Sequence, residues 1–147
     1  MEKENVMKYL QALLVAVGLL TFASVNAQAG SVKIIANSSI KSDTISVDDL
    51  KGVFLEEKNS LSDGSRVEPV LEKGGPAHEA FVKEYLGKND SALQTYYRSL
   101  VFTGKGSMPK AVGSDADVVS YVAKTKGAIG YISSGANAEG VKTLEVK

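Results

Sequence analysis

The chain has 147 residues, with 17 Lys and Arg against 17 Asp and Glu, one His and no Cys. This length allows one ordinary domain. The proportions of 44% hydrophobic and 23% charged residues exclude disorder as the default. The absence of cysteine excludes disulfides, a thiolate nucleophile and cysteine-ligated metal centres. A net charge of zero argues against a nucleic-acid partner, which would need a basic surplus to displace counterions from phosphates.

The first 29 residues are typical of a cleavable signal peptide. Two lysines precede a mostly apolar run at residues 10–23, and small residues allow cleavage after Ala27 or Ala29. The run is shorter than the about 20 residues of a membrane span, although an uncleaved anchor is the alternative. No cysteine follows the run, which excludes a lipoprotein anchor. We therefore expect a periplasmic or secreted protein whose mature domain, residues 30–147, is not inserted in the membrane.

The mature domain begins with a strand and a helix. An apolar stretch at residues 32–36 predicts the strand, and the polar turn Asn37-Ser38-Ser39 follows it. Ser46 and Asp49 have the spacing of a capping box, which predicts the start of a helix. The residues of this helix expected to face the core are Val47, Leu50, Val53 and Phe54.

A second strand and a second helix come next. Residues 66–71 predict a strand, in which Pro69 indicates an edge strand or a strand end because proline cannot donate to a neighbouring strand. Gly74-Gly75 precedes Pro76, which suits the first position of a helix, and Gly87 is placed to end that helix. Its predicted buried stripe consists of Phe81, Val82, Tyr85 and Leu86.

The last third of the chain predicts two more helices and two strands. Ser91 and Ser114 have capping-box spacing to Gln94 and Asp117 and are predicted to cap the helices, while residues 128–132 and 141–146 predict the strands. The inward residues expected in these helices are Leu93, Tyr96, Tyr97, Leu100 and Val101, and then Val118, Tyr121 and Val122. Alternating strands and helices favour an α/β fold, with a sheet covered by helices.

Three segments carry a family resemblance: LKGVFL at residues 50–55, GGPAHEAF at 74–81 and KGAIGYI at 126–132. In this order they resemble the periplasmic phosphate-binding protein family of ABC importers. The resemblance implies a single periplasmic-binding-protein-like (type II) lobe with a mixed sheet. It also implies a non-catalytic, phosphate-like anion-binding protein whose partner is an ABC permease or another periplasmic protein. A full member has two lobes and about twice this length, so the chain resembles the short, single-domain relatives.

Two loops could supply the converging N–H and O–H donors that an oxyanion needs. Asn37, Ser38 and Ser39 follow the first strand, where an α/β sheet typically presents a ligand crevice. Gly74, Gly75 and His78 lie at a helix start, where free amides favour an anion. We expect these six residues to form the site. The alternatives are ordinary turn chemistry for Ser38 and Ser39, and simple surface exposure for His78.

The resemblance also implies hydroxyl donors, a Ser and a Thr, where Gly75 and Ala77 stand. Hydrogen bonds to a charged group contribute about 1.5–3 kcal/mol each. The loss of two such hydrogen bonds therefore lowers the affinity for an anion by about two to four decades. A protonated His78 would offset part of this loss. We expect weak binding of phosphate or a similar oxyanion. The alternative is an adaptor or sensing module that has lost ligand binding and recognises a protein partner.

Few residues are available for catalysis or metal binding. A Ser-His-Asp triad would have to use His78, and no G-x-S-x-G motif supplies its serine. No acidic cluster has the spacing of a calcium loop. Lys105 lies in a Gly-rich loop that lacks the spacing of a phosphate-binding P-loop. We expect no catalytic residue, no metal and no cofactor.

Overall fold

The computed structural model describes residues 31–147, and the predicted signal peptide lies outside the described residues. The elements are β1 (Val32–Ala36), β2 (Thr44–Ile45), α1 (Val47–Phe54), β3 (Glu68–Glu72), α2 (Pro76–Phe81), α3 (Asp90–Phe102), β4 (Lys110–Val112), α4 (Asp115–Lys124), β5 (Ala128–Ser133) and β6 (Lys142–Val146). Helix α2 continues directly into a π-helical segment, Val82–Leu86. None of the helices between residues 31 and 147 has the length and apolarity needed to cross a membrane.

The six strands form one mixed sheet in the order β2-β6-β1-β5-β3-β4. Strand β1 pairs antiparallel with both β5 and β6. The remaining pairs are all parallel, namely β2 with β6, β5 with β3, and β3 with β4. Five strands therefore run in one direction and β1 alone runs in the other. This arrangement confirms the predicted α/β fold with a mixed sheet.

Helices cover both faces of the sheet, with the larger core on one side. Helices α1, α2 and α3 pack on the face that includes Ile34 and Tyr131. Helix α4 covers the other face, where Val118 and Val122 contact strand residues such as Ile132. Gly130 lets α4 approach closely, because a Cβ at this position would lie 2.7 Å from Val118 Cγ1.

The local signals at several helix ends are confirmed. The hydroxyl oxygen of Ser46 accepts a hydrogen bond from the amide of Asp49 at 3.0 Å, and Ser114 caps α4 in the same way. Pro76 is the first residue of α2, and Gly87 ends the π-helical segment at a φ of 63°. Short-range chemistry determines these boundaries, so the sequence pattern is sufficient to predict them.

Other local predictions are wrong. Asn89, not Ser91, caps α3, since its side-chain oxygen accepts from the amide of Ala92 at 2.8 Å. Strand β3 lies between β5 and β4, so the edge-strand interpretation of Pro69 fails, whereas the strand-end interpretation fits. The predicted inward residues Val47 and Val101 are exposed. The short strands β2 and β4 were not anticipated by the sequence pattern.

Candidate functional site

The strand directions bring two helix starts to one edge of the sheet. Because β3 and β4 are parallel and each leads into a helix, α2 and α4 both begin at the edge where these strands end. Ligands of α/β sheets commonly bind outside the carboxyl ends of the strands. We call this edge the carboxyl edge; it includes residues 73–75, which precede α2, and residues 113–114, which precede α4.

The start of α2 is the helix start at this edge that lacks a side-chain cap. Gly75 occupies the cap position with a φ of 96°, a backbone conformation that residues with an L side chain rarely adopt. Glycine has no side chain that could bond to the free amides of the helix. Pro76 has no amide hydrogen, and the first intrahelical bond is donated by Glu79 to the Gly75 carbonyl. The amides of Ala77 and His78 are thus left without an intrahelical partner, and the positive end of the helix dipole faces the edge.

The His78 side chain is buried, with only 1% of its surface exposed, so the exposed alternative is wrong. Its Nδ1 lies 2.5 Å from the Tyr131 hydroxyl oxygen, and its Nε2 lies 2.7 Å from Asp90 Oδ1. The Tyr131 oxygen also accepts a hydrogen bond from the amide of Glu72 at 3.0 Å. This Asp90–His78–Tyr131 chain connects α3, α2 and β5 to the end of β3.

One arrangement of protons gives every polar group of the Asp90–His78–Tyr131 hydrogen-bond series a partner. If the Tyr131 hydroxyl donates to Nδ1, then Nε2 carries the ring proton and donates to Asp90, so the imidazole is neutral. The hydrogen bond from His78 holds the pKa of Asp90 below its usual range, which keeps the carboxylate charged. A second ring proton would force the Tyr131 hydrogen to seek another acceptor inside the core. The His78 ring therefore acts as a structural connector, and its main-chain amide is the group free for a ligand.

Two acidic side chains lie together at the same edge. The Glu72 carboxyl is buried, with 5% exposure, and one of its oxygens has no hydrogen-bond partner. Burial and the neighbouring Asp115 raise the pKa of Glu72 to about 8. Hydrogen bonding from Glu72 and from the Ser133 amide, the latter at 3.1 Å, lowers the pKa of Asp115. At neutral pH the pair therefore shares one proton and carries one negative charge, which opposes anion binding nearby.

The first predicted loop lies at the opposite edge of the sheet. Ala36 pairs with Ile129 near the beginning of β5, so Asn37, Ser38 and Ser39 are separated from Gly74 and Gly75 by the length of the strands, about 15 Å. The six predicted residues are thus not brought together.

The polar groups of that loop are already used. The Asn37 side chain is buried and donates to the carbonyls of Val122 and Ala123 at 2.8 and 3.2 Å, which completes the end of α4. Its oxygen accepts from the amide of Ser39, whose hydroxyl in turn accepts from the amide of Gly127 at 2.9 Å. Ser38 is exposed. This loop therefore has the turn and capping chemistry that was the alternative to ligand binding.

Sequence reasoning missed the residues that surround the start of α2. Tyr131 was part of the KGAIGYI segment, but nothing local indicates that its hydroxyl reaches His78, 53 positions earlier. Burial of His78 had a signal, because it precedes Phe81, Val82 and Tyr85 by three, four and seven positions and so lies on the same helix face. Among residues 31–147, no group of three or more His, Asp or Glu side chains could hold a metal ion.

The described residues have the fold of one lobe of a substrate-binding protein. One similar solved structure is PstS from Borrelia burgdorferi, with a TM-score of 0.61 and 15% identity. The match covers 80% of this chain and 47% of that one. Another is a putative phosphate ABC transporter substrate-binding protein with bound phosphate from Clostridium perfringens, with a TM-score of 0.58, 17% identity and coverage of 79% and 44%. A third is an ABC-type phosphate transport receptor from Vibrio cholerae, with a TM-score of 0.52, 15% identity and coverage of 79% and 46%.

These likenesses confirm the resemblance at the level of the fold. The chain spans less than half the length of each of these proteins. No protein-family model matches the sequence, and no curated protein matches it either.

Proposed function

We propose that this protein is a solute-binding lobe that holds phosphate or a similar small oxyanion weakly at the start of α2. The observation that carries the proposal is the uncapped start of α2, located at the carboxyl edge of a fold shared with a protein described as containing bound phosphate. The free amides of Ala77 and His78, together with the helix dipole, favour a negative charge there.

The same geometry indicates why the affinity is low. Gly75 and Ala77 offer no hydroxyl, and both ring nitrogens of His78 are already bonded. The negative charge shared by Glu72 and Asp115 lies at the same edge. Two main-chain amides in an open position correspond to a dissociation constant in the millimolar range, or about 4 kcal/mol of binding free energy.

The proposal extends to the setting of the protein. We place it in the periplasm or outside the cell, with an ABC permease or another periplasmic protein as its partner and without catalytic activity. The predicted signal peptide supports export. The similarity to proteins described as components of phosphate ABC transport supports the type of partner.

Anion titration of two matched variants tests the proposal. Gly74→Asp adds a carboxylate beside the start of α2, at a position with no positive φ and no atom within 4 Å of the added Cβ. Ser38→Asp adds the same charge to the exposed turn at the opposite edge. Calorimetry with phosphate, sulfate, molybdate and small carboxylates should show affinity reduced at least about tenfold by the first variant and unchanged by the second.

The opposite ranking would locate the anion at the turn that contains Asn37, Ser38 and Ser39. The absence of both heat and thermal shift with every anion up to about 10 mM, ten times a millimolar Kd, would contradict anion binding. That result would favour the adaptor or sensing alternative.

A further inference from the structure

One hydroxyl group holds both ends of the segment that leads into α2. The Tyr131 hydroxyl oxygen accepts a hydrogen bond from the amide of Glu72 at 3.0 Å and lies 2.5 Å from Nδ1 of His78. Glu72 is the last residue of β3 and His78 lies in the first turn of α2, so these two contacts flank residues 73–77. Tyr131 itself belongs to β5 and is fully buried. We call residues 73–77 the glycine segment.

The glycine segment has few contacts of its own. Residues 73–76 are exposed, and a Cβ built on Gly74 or Gly75 would have no heavy atom within 4 Å beyond its chain neighbours. The amide of Lys73 donates to the Val112 carbonyl at 2.8 Å, whereas the two glycine amides form no hydrogen bond within residues 31–147. Adjacent glycines have wide backbone freedom. The conformation of the glycine segment therefore depends on how its ends are held.

The His78 end is held from two sides. Asp90, on α3, accepts from Nε2 of the ring at 2.7 Å. On the other side, burial raises the pKa of Tyr131 far above its ordinary value, so the hydroxyl keeps its proton and donates it to Nδ1. The Tyr131 ring also stacks on Phe81, one turn further along α2, at a centroid distance of 4.0 Å. Strand β5 thus holds the start of α2 through both a hydrogen bond and an aromatic contact.

The held segment carries the groups that were assigned to the anion. The free amide of Ala77 is its last donor, and the amide of His78 follows directly. Most helix starts are fixed by a side-chain cap, and α2 has none. Donors that are already in position cost less entropy on binding than donors that must first be ordered.

We propose that Tyr131 is the positioning residue of the anion site. Its hydroxyl fixes the glycine segment so that the amides of Ala77 and His78 converge on an anion, although the hydroxyl itself is buried behind them. This inference rests on the proposed function and adds a determinant of affinity that lies outside the site. It also gives the KGAIGYI segment a role at a helix start 53 positions earlier in the chain.

Phosphate titration of two matched variants, followed by NMR, tests the inference. Tyr131→Phe removes the hydroxyl and keeps the ring. Tyr97→Phe is the control, because Tyr97 is also fully buried and donates its hydroxyl hydrogen at 2.5 Å, to the Phe54 carbonyl instead of the glycine segment. We expect Tyr131→Phe to raise the Kd for inorganic phosphate at least about fivefold and Tyr97→Phe to change it less than about twofold.

Backbone order without any anion gives a second readout. The ¹⁵N order parameters of Gly74 and Gly75 should fall from about 0.85, typical of a rigid backbone, to about 0.6 in Tyr131→Phe. They should stay unchanged in Tyr97→Phe. A loss of stability alone would not separate the two variants in this way.

Asp90 offers a second pair of variants, which decides the question if Tyr131→Phe does not fold. Its side chain is 47% exposed, so substitution leaves no cavity in the core. Asp90→Ala and Asp90→Asn both remove the charge, but only asparagine keeps an oxygen that can accept from Nε2 of His78. We expect Asp90→Ala to bind phosphate about threefold more weakly than Asp90→Asn.

The outcomes separate this inference from the proposed function. An unchanged Kd in Tyr131→Phe, with phosphate still shifting the amides of Ala77 and His78, would overturn the inference and leave the proposed function intact. Equal losses in Tyr131→Phe and Tyr97→Phe, or equal affinities of the two Asp90 variants, would also overturn it. No phosphate-dependent shift in the parent would contradict the proposed function, and unchanged order parameters would then show separately that Tyr131 does not hold the glycine segment.

Discussion

The two loops predicted to bind an anion differ in how their polar groups are used. In the turn at residues 37–39, the side chains of Asn37 and Ser39 form hydrogen bonds within the protein, to the end of α4 and to Gly127. The loop at Gly74 and Gly75 leaves the helix that follows it uncapped. Polar residues after a strand therefore do not by themselves indicate a ligand site. The internal hydrogen bonds must be counted first.

The largest effect is expected from Asn37→Ala. The variant removes two hydrogen bonds to the carbonyls of Val122 and Ala123 and leaves these groups buried or half-buried without a partner. We expect the free energy of unfolding to fall by about 3 kcal/mol. Urea denaturation measures this change. Ser38→Ala, in the same turn, is the control and should change stability by less than about 0.5 kcal/mol. Similar values for the two variants would show that this turn does not hold α4.

Tyr131→Phe tests the chain of hydrogen bonds beneath the start of α2. The variant removes the hydroxyl that joins the Glu72 amide to His78 and keeps the ring, which packs against Phe81 at a centroid distance of 4.0 Å. We expect a loss of about 2 kcal/mol in stability, because two buried groups lose their partner.

A double-mutant cycle provides the control. Tyr131→Phe combined with His78→Gln should show coupling of at least about 1 kcal/mol, whereas Tyr131→Phe combined with Tyr121→Phe should be additive. Tyr121 is suitable because its hydroxyl bonds to Glu68 near the other edge. Additivity in both cycles would show that the hydrogen bonds of Tyr131 and His78 are not energetically coupled.

Glu72→Gln is expected to alter how stability depends on pH. The pKa of Glu72 is raised to about 8 in the folded protein, from its ordinary value of 4.5. The folded state therefore binds more protons than the unfolded state between these values, and stability falls as the pH rises through this window. The variant lacks the carboxyl and should not show this loss. Between pH 5 and pH 9, the free energy of unfolding of the parent should therefore fall by about 2 kcal/mol more than that of the variant.

The opposing shift of Asp115 does not mask this effect. The pKa of Asp115 is lowered in the folded protein. Asp115 therefore stabilises the fold at every pH above its ordinary pKa, and this contribution is lost only at acidic pH. Thermal unfolding at pH 5 and pH 9 is the measurement. The same pH dependence in Glu72→Gln and the parent would show that Glu72 ionises normally in the folded protein.

How far the sequence predicts the fold depends on how local the interaction is. Gly87, Pro76 and the caps at Ser46 and Ser114 act within a few residues, and their roles were predictable. Strands β2 and β4 have two and three residues, too few to produce a periodic pattern before they pair.

Pro69 shows why a long-range partner can overturn a local rule. Its missing amide would face β4, but β4 begins to pair only at Val70, so no hydrogen bond is lost. The candidate site was half predictable for the same reason. Gly74 and Gly75 adjoin the helix start that they were predicted to form, whereas the roles of Asn37 and His78 depend on residues 85 and 53 positions away.

The most direct test of the account is a phosphate titration of the isotope-labelled protein followed by amide NMR shifts. We predict saturable shifts for the amides of Gly75, Ala77 and His78, with a dissociation constant of about 1 mM. The amides of Ser38, Ser39 and Gly127 should not move. Saturable shifts at the second set with the first set unchanged would contradict the assignment of the anion site to the start of α2.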